Sequence, residues 1–168
     1  VGVSLEELTN AYTVFPNEGR LSAKRTVIAV YDKYNNLLYK NNKSEKVLYT
    51  KPAARLMSRL LMQVVENGTA KSISLKNRVD TAGKTGTSQI FENGSNLNKD
   101  GRKRHQITFA GYFPADKPMY SCIVYVREPK TGGAGTVCGP VFKTLAEKAY
   151  IINNGQYDDS LKLKEDWT

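Results

Sequence analysis

The sequence predicts an α+β domain built as an antiparallel sheet with helices on both faces. Three segments, following Ser4, Thr50 and the glycine-rich stretch 131–135, carry apolar residues at helical spacing. Runs rich in β-branched and aromatic residues succeed one another across short polar turns, which favours antiparallel pairing within a layered α+β architecture. The run 119–127 is apolar on both of its faces, so both should be covered.

Ser4 with Glu7 three residues on forms a capping box, and Leu5, Leu8, Tyr12 and Phe15 continue at helical spacing until Pro16-Asn17-Glu18-Gly19 stops them. A strand over 26–31, a polar turn at 32–36 and a short strand over 37–39 read as a hairpin, with the run 46–49 docking on it. Thr50 can cap a second helix with Pro52 in its first turn. Leu56, Met57, Leu60, Leu61, Val64 and Val65 are its expected buried stripe, and Asn67-Gly68 its end. An irregular connection over 70–75 leads to a strand over 81–89, whose small and β-branched residues suit close backbone approach. After a polar loop (92–104) come strands over 107–113 and 119–127, joined by Pro114-Ala115-Asp116-Lys117-Pro118. Pro140 is expected in the first turn of the last helix, with Val141, Leu145 and Ala149 on one face. One domain over 1–152 and a polar, fraying tail over 153–168 follow.

The 168 residues suffice for one domain with a hydrophobic core, and 40% hydrophobic with 24% charged content is ordinary for a globular chain. No apolar run approaches the ~18 residues of a membrane span, and the first residues lack the basic start and apolar stretch of a signal peptide. The net charge of +9 raises nucleic acid as a partner. Its densest cluster, Lys99, Arg102, Lys103 and Arg104, has no RNA-binding signature, zinc spacing or helix-turn-helix pattern beside it, so it reads as a solvated loop and no nucleic acid is expected. Cys122 and Cys138 are too few for a disulfide scaffold. Cys122 reads as a small buried hydrophobe, and a bridge between the two would need an oxidising compartment.

The candidate chemistry lies in Lys84-Thr85-Gly86-Thr87. An ammonium beside two hydroxyls on an exposed strand can hold a carboxylate. Gly86 lets a substrate backbone lie against the strand, and the Thr87 N–H is placed to donate to an oxyanion. His105, the only histidine, follows Arg104 and reads as a solvated loop residue.

Lys-Thr-Gly is also the third signature of penicillin-binding proteins and serine β-lactamases, after Ser-x-x-Lys and Ser-x-Asn. Here it stands within Ala82-Gly83-Lys84-Thr85-Gly86-Thr87-Ser88-Gln89, preceded by Val64-Val65-Glu66-Asn67-Gly68-Thr69-Ala70. It is followed by Phe109-Ala110-Gly111-Tyr112-Phe113-Pro114-Ala115-Asp116 and by Gly139-Pro140-Val141-Phe142-Lys143. In this order the segments resemble the transpeptidase domain of class B penicillin-binding proteins, over residues 1–152. The resemblance implies an incomplete penicillin-binding-protein/serine β-lactamase-like transpeptidase fold. It also implies a D,D-transpeptidase that cross-links peptidoglycan stem peptides ending in D-Ala-D-Ala through an acyl-serine, and that β-lactams trap. Lys84 would keep the site electropositive, Thr85 and Thr87 would bind the carboxylate, and the Thr87 N–H would supply half of the oxyanion hole. Gly86 would complete the substrate-binding strand. The resemblance implies no metal or cofactor. Other cell-wall synthesis proteins would be partners, at the outer face of the bacterial cytoplasmic membrane, with the anchor on an upstream segment.

The sequence holds no Ser-x-x-Lys and no Ser-x-Asn. Tyr34-Asn35-Asn36 fits a Tyr-x-Asn variant but falls in the predicted hairpin turn. Without a serine beside its base the chain should not acylate, so it reads as part of a longer enzyme, inactive alone. An exposed sheet edge and apolar surface are then expected, covered by a second copy. The rival reading is a basic, non-catalytic module that binds wall peptide or another anionic polymer. That module would lose binding when the 99–104 cluster is neutralised and keep it on Lys84→Ala.

Overall fold

The computed structural model describes residues 2–74 and 80–153. In chain order the elements are α1 (Leu5–Tyr12), β1 (Arg20–Ser22), β2 (Ala29–Tyr31), β3 (Leu37–Lys40), β4 (Glu45–Val47) and α2 (Lys51–Glu66). A short 3-10 turn (Lys71–Ile73), β5 (Ala82–Gln89), β6 (His105–Phe113), β7 (Tyr120–Arg127) and α3 (Ala134–Asn153) follow. No helix among the described residues is long and apolar enough to cross a membrane.

The capping box forms as expected. The Ser4 hydroxyl accepts from the Glu7 amide at 3.2 Å, and the Ser4 amide donates to the Glu7 carboxylate at 2.8 Å. The helix stops at Tyr12, short of Phe15, and the chain turns through 13–19 to Gly19 at φ +86°. A Cβ on Gly19 would stand 2.1 Å from the Tyr49 carbonyl oxygen. The Gly19 carbonyl itself accepts from the Leu48 and Tyr49 amides at 2.8 and 3.1 Å. Only glycine tolerates both the positive φ and that approach.

This crossing corrects the expected place of the 46–49 run. It does not dock on the hairpin; β4 pairs antiparallel with β1, a strand the sequence pattern did not suggest. Glu45 ties the ribbon together, accepting from Ser22 Oγ at 3.0 Å and Asn17 Nδ2 at 3.1 Å and pairing with Lys43. Lys43, Asn17 and Ser22 together hold the Glu45 carboxyl down at about 2. A lowered folded-state pKa stabilises the fold above the ordinary value near 4.5 and loses that contribution as pH falls towards 2. The Glu45 side chain is therefore expected to titrate near 2 by NMR; a midpoint near 4.5 would mean that the tie is absent in solution.

The hairpin forms from β2 and β3, with a bulge between Val30 and Tyr31; β2 begins at Ala29, which leaves 26–28 outside the strand. Asp32 organises its turn by accepting from the amides of Tyr34 and Asn36. Tyr34-Asn35-Asn36 is thus a turn sequence, with Asn35 at φ +65°.

The three-stranded sheet runs in the order β5-β6-β7, antiparallel throughout. On one face Phe109, Phe113 and Ile107 of β6 pack with Phe142, Cys138 and Ala146 of α3; Cys122, Val124 and Val126 of β7 join them. On the other face Tyr112 and Ala82 pack with Leu61 of α2 and with Tyr12 and Phe15, and Ser121 Oγ donates to the Thr9 carbonyl of α1 at 3.2 Å. Helices therefore cover both faces, as expected. Both outer edges, β5 and β7, lack a strand neighbour among the described residues.

Two helical faces differ from expectation. On α2 only Ala54, Leu61 and Val65 are buried; Leu56, Met57 and Leu60 are 59%, 39% and 53% exposed. The helix rests on β5 and the 3-10 turn, so only the side facing them is covered. Thr50 occupies the N-cap position with no side-chain capping bond. On α3 the helix begins at Ala134, which places Pro140 inside it rather than in its first turn. The buried face is Ala134, Cys138, Phe142 and Ala146, one residue round from the predicted one; Val141 and Leu145 are exposed, while Ala149 of the predicted face packs partly buried against the core. Phe142 decides this, since its ring meets those of Phe109 and Phe113 edge-on at 4.7 and 5.6 Å. Both cysteines are free thiols, Cys138 buried and Cys122 half-buried, so no bridge joins them. Residue 75 of the expected 70–75 connection and the tail beyond 153 lie outside the described residues.

Candidate active site

Lys84, Thr85, Gly86 and Thr87 lie along the middle of β5, opposite Ala110, Phe109, Thr108 and Ile107 of β6. Their inner backbone groups serve the β6 ladder. The outer ones face an edge with no strand neighbour among the described residues, the arrangement that an extended ligand can join as an added strand. Lys84 and Thr87 are exposed, while Thr85 and Gly86 are partly covered.

The Lys84 ammonium bends along its own strand and donates to the Thr85 carbonyl at 2.8 Å and to Thr85 Oγ1 at 3.2 Å. Thr85 Oγ1 also lies 2.8 Å from Thr69 Oγ1, on the segment leaving α2. Three polar groups are thereby brought into a row at the strand edge. Thr69 was not singled out from the sequence as a site residue. Its signal was the hydroxyl directly after the Asn67-Gly68 helix stop, which served there only as a boundary.

Gly86 has a second role beyond access for a backbone. A Cβ there would fall 2.5 Å from Thr108 Oγ1 of the neighbouring strand, so the missing side chain also makes room for β6. Lys84 further contributes to the lining of a groove of about 410 Å³ whose walls include Tyr12, Phe15, Tyr49, Met57 and Leu61. Lys84 thus borders an apolar hollow lined by residues of α1 and α2.

The basic segment beyond the strand is more structured than a solvated loop. Two isolated bridges, Glu92 with Ser95 and Leu97 with Lys103, fold it back on itself. Arg104 pairs with Glu92 at 2.9 Å and Glu128 at 2.6 Å, and Arg127 also pairs with Glu92. Arg127 first and then Arg104 hold the Glu92 carboxyl below its ordinary range, and Arg104 does the same to Glu128. One of the four cluster cations is therefore committed to an ion-pair network, while Lys99, Arg102 and Lys103 remain exposed. His105 is no loop residue. It opens β6, half-buried, opposite Gln89, and its carbonyl accepts from the Glu128 amide at 2.9 Å. Neither it nor Tyr34-Asn35-Asn36 belongs to the row at Lys84.

A family model described as "Penicillin binding protein transpeptidase domain" matches residues 1–147. Among curated relatives, the probable peptidoglycan D,D-transpeptidase PenA of Neisseria flavescens is 30% identical over 148 residues, which cover 85% of this chain and 33% of that protein. Its counterpart in Neisseria gonorrhoeae is 28% identical over 148 residues, covering 85% and 22%. The chain thus spans about a fifth to a third of the length of these relatives. Among solved structures, penicillin binding protein 3 of Mycobacterium tuberculosis matches with a TM-score of 0.75 at 22% identity, over 96% of this chain and 38% of that one. That likeness is one of fold. The mycobacterial protein is also described in complexes with aztreonam and with ampicillin.

Proposed function

The chain belongs to the penicillin-binding protein transpeptidase domain family, and from that premise we propose that it supplies the carboxylate-binding strand of a peptidoglycan D,D-transpeptidase whose nucleophile lies outside this sequence. The observation that carries the reading is the Lys84-Thr85-Gly86-Thr87 run on an open strand edge, with the ammonium and the Thr85 hydroxyl in contact. A stem peptide ending in D-Ala-D-Ala is extended and anionic at its end. It can add to β5 as a strand while its carboxylate meets Lys84, Thr85 and Thr87.

In the complete enzyme the serine of a Ser-x-x-Lys segment attacks the penultimate D-Ala carbonyl. The Thr87 N–H, together with the N–H of that serine, receives the negative charge that develops on the carbonyl oxygen. The terminal D-Ala leaves, an acyl-serine remains, and the amine of a second stem peptide resolves it into a cross-link. Penicillins present a carboxylate beside a strained amide and stop at the acyl stage. The work belongs to the bacterial cell envelope, outside the cytoplasmic membrane, in company with other wall-synthesis proteins. As an isolated piece, with open strand edges and exposed Leu56 and Leu60, the chain is expected to self-associate.

Fluorescent penicillin tests the reading directly. A protein that carries this sequence together with its upstream Ser-x-x-Lys segment is expected to label covalently, and the 168-residue chain alone is not. A folded longer protein that stays unlabelled would contradict the transpeptidase reading and favour a non-catalytic module binding anionic polymer.

A further inference from the structure

Thr69 sits in a segment held from three sides. Behind it, the amides of Gly68 and Ala70 both donate to the Val64 carbonyl, at 3.1 and 3.2 Å. Ahead of it, Ala70 and Ile73 are fully buried and anchor the 3-10 turn in the core. Beside it runs the first turn of α3. Ser72 Oγ donates to the Gly135 carbonyl at 2.8 Å, and a Cβ on Gly135 would stand 2.4 Å from the Thr69 carbonyl oxygen. The Thr69 backbone is thus pressed against α3 while its hydroxyl reaches the other way, to Thr85 Oγ1 at 2.8 Å.

A threonine hydroxyl has two lone pairs and one hydrogen. Lys84 Nζ donates into Thr85 Oγ1 at 3.2 Å. When Thr69 donates as well, both lone pairs of Thr85 are occupied and its hydrogen is left to point at an incoming anion. The β-branched Thr85 side chain is restricted at χ1, which holds its oxygen between the two donors. We infer that Thr69 is a positioning residue, clamped by Gly135 of α3, which turns the Thr85 hydroxyl into a committed donor to the ligand carboxylate. The inference rests on the carboxylate-binding role proposed for β5. Without Thr69, Thr85 can still be reached by Lys84, but its hydrogen is free to rotate away.

The test uses the full-length protein with its nucleophile and compares acylation by benzylpenicillin with acylation by benzylpenicillin methyl ester, which lacks the anion. Thr69→Val should slow reaction with the acid about tenfold, the scale of one hydrogen bond, and leave the ester rate unchanged, while Thr69→Ser restores the acid rate. Gly135→Ala, whose Cβ would force the Thr69 carbonyl to shift and removes no hydroxyl, should give the same selective loss of acid over ester, together with a lower unfolding midpoint. Equal slowing of acid and ester, or no slowing at all, would overturn the positioning role. Failure of the unaltered protein to react with benzylpenicillin would instead remove the reading of β5 on which it depends.

Discussion

Replacing Lys84 by alanine is expected to slow penicillin acylation of the full-length protein by about 10²–10³-fold, the range typical of removing one preorganised charge-stabilising group from an active site. Lys84 is exposed and takes no part in either hydrophobic core, so the fold should survive its loss. What disappears is the ammonium that donates to the Thr85 hydroxyl and carbonyl and makes the strand edge electropositive. The measurement is the second-order labelling rate with a fluorescent penicillin, alongside a thermal melt of each protein. A large drop in rate with an unchanged melt assigns Lys84 to the ligand. An unchanged rate would place the carboxylate elsewhere and leave Lys84 a surface residue.

The second large effect concerns stability. Phe142→Ala should cost about 3–5 kcal/mol, the usual range for truncating a fully buried aromatic side chain. Phe142 is 0% exposed and its ring joins those of Phe109 and Phe113. Truncation would leave a hollow between α3 and the sheet that these rigid neighbours cannot close. Val141→Ala, one residue away and 49% exposed, should stay within about 0.5 kcal/mol of the parent. Urea unfolding of both variants gives the comparison, with the slope m expected to remain unchanged. The reverse order of effects would restore the face centred on Val141 and Leu145 and displace the packing described for α3.

How much of this was legible in the sequence varies from element to element. The capping box at Ser4 and Glu7 is satisfied within four residues, so its reading could not be upset by anything distant. The hairpin turn at Asp32 is equally local. The strands β5, β6 and β7 could be read because small, β-branched and aromatic runs and turn prolines are near-neighbour patterns, and Lys84-Thr85-Gly86-Thr87 falls inside β5 as expected.

Other features depend on residues far apart in the chain. Whether Val141 or Phe142 faces inward is a one-residue rotation of α3, settled by the rings of Phe109 and Phe113 some thirty positions earlier. The α2 stripe is half exposed because, among the described residues, the sheet ends at β5, a limit that periodicity within the helix cannot express. The run at 46–49 went to β1 rather than the hairpin because Gly19 crosses against Tyr49. Arg104 looked like one of four solvated cations until Glu92 and Glu128 met it.

The sequence by itself determined the α+β class, the family and the ammonium-hydroxyl strand, since each rests on local patterns and on their order along the chain, both of which exist before folding. Only the tertiary structure decided which helical faces are buried, that His105 belongs to a strand, and that Thr69 stands at hydrogen-bond distance from Thr85. The reason is physical: helix orientation and hydroxyl contacts between elements are fixed by packing at a few ångströms' range, between partners that the chain brings together only once it has folded.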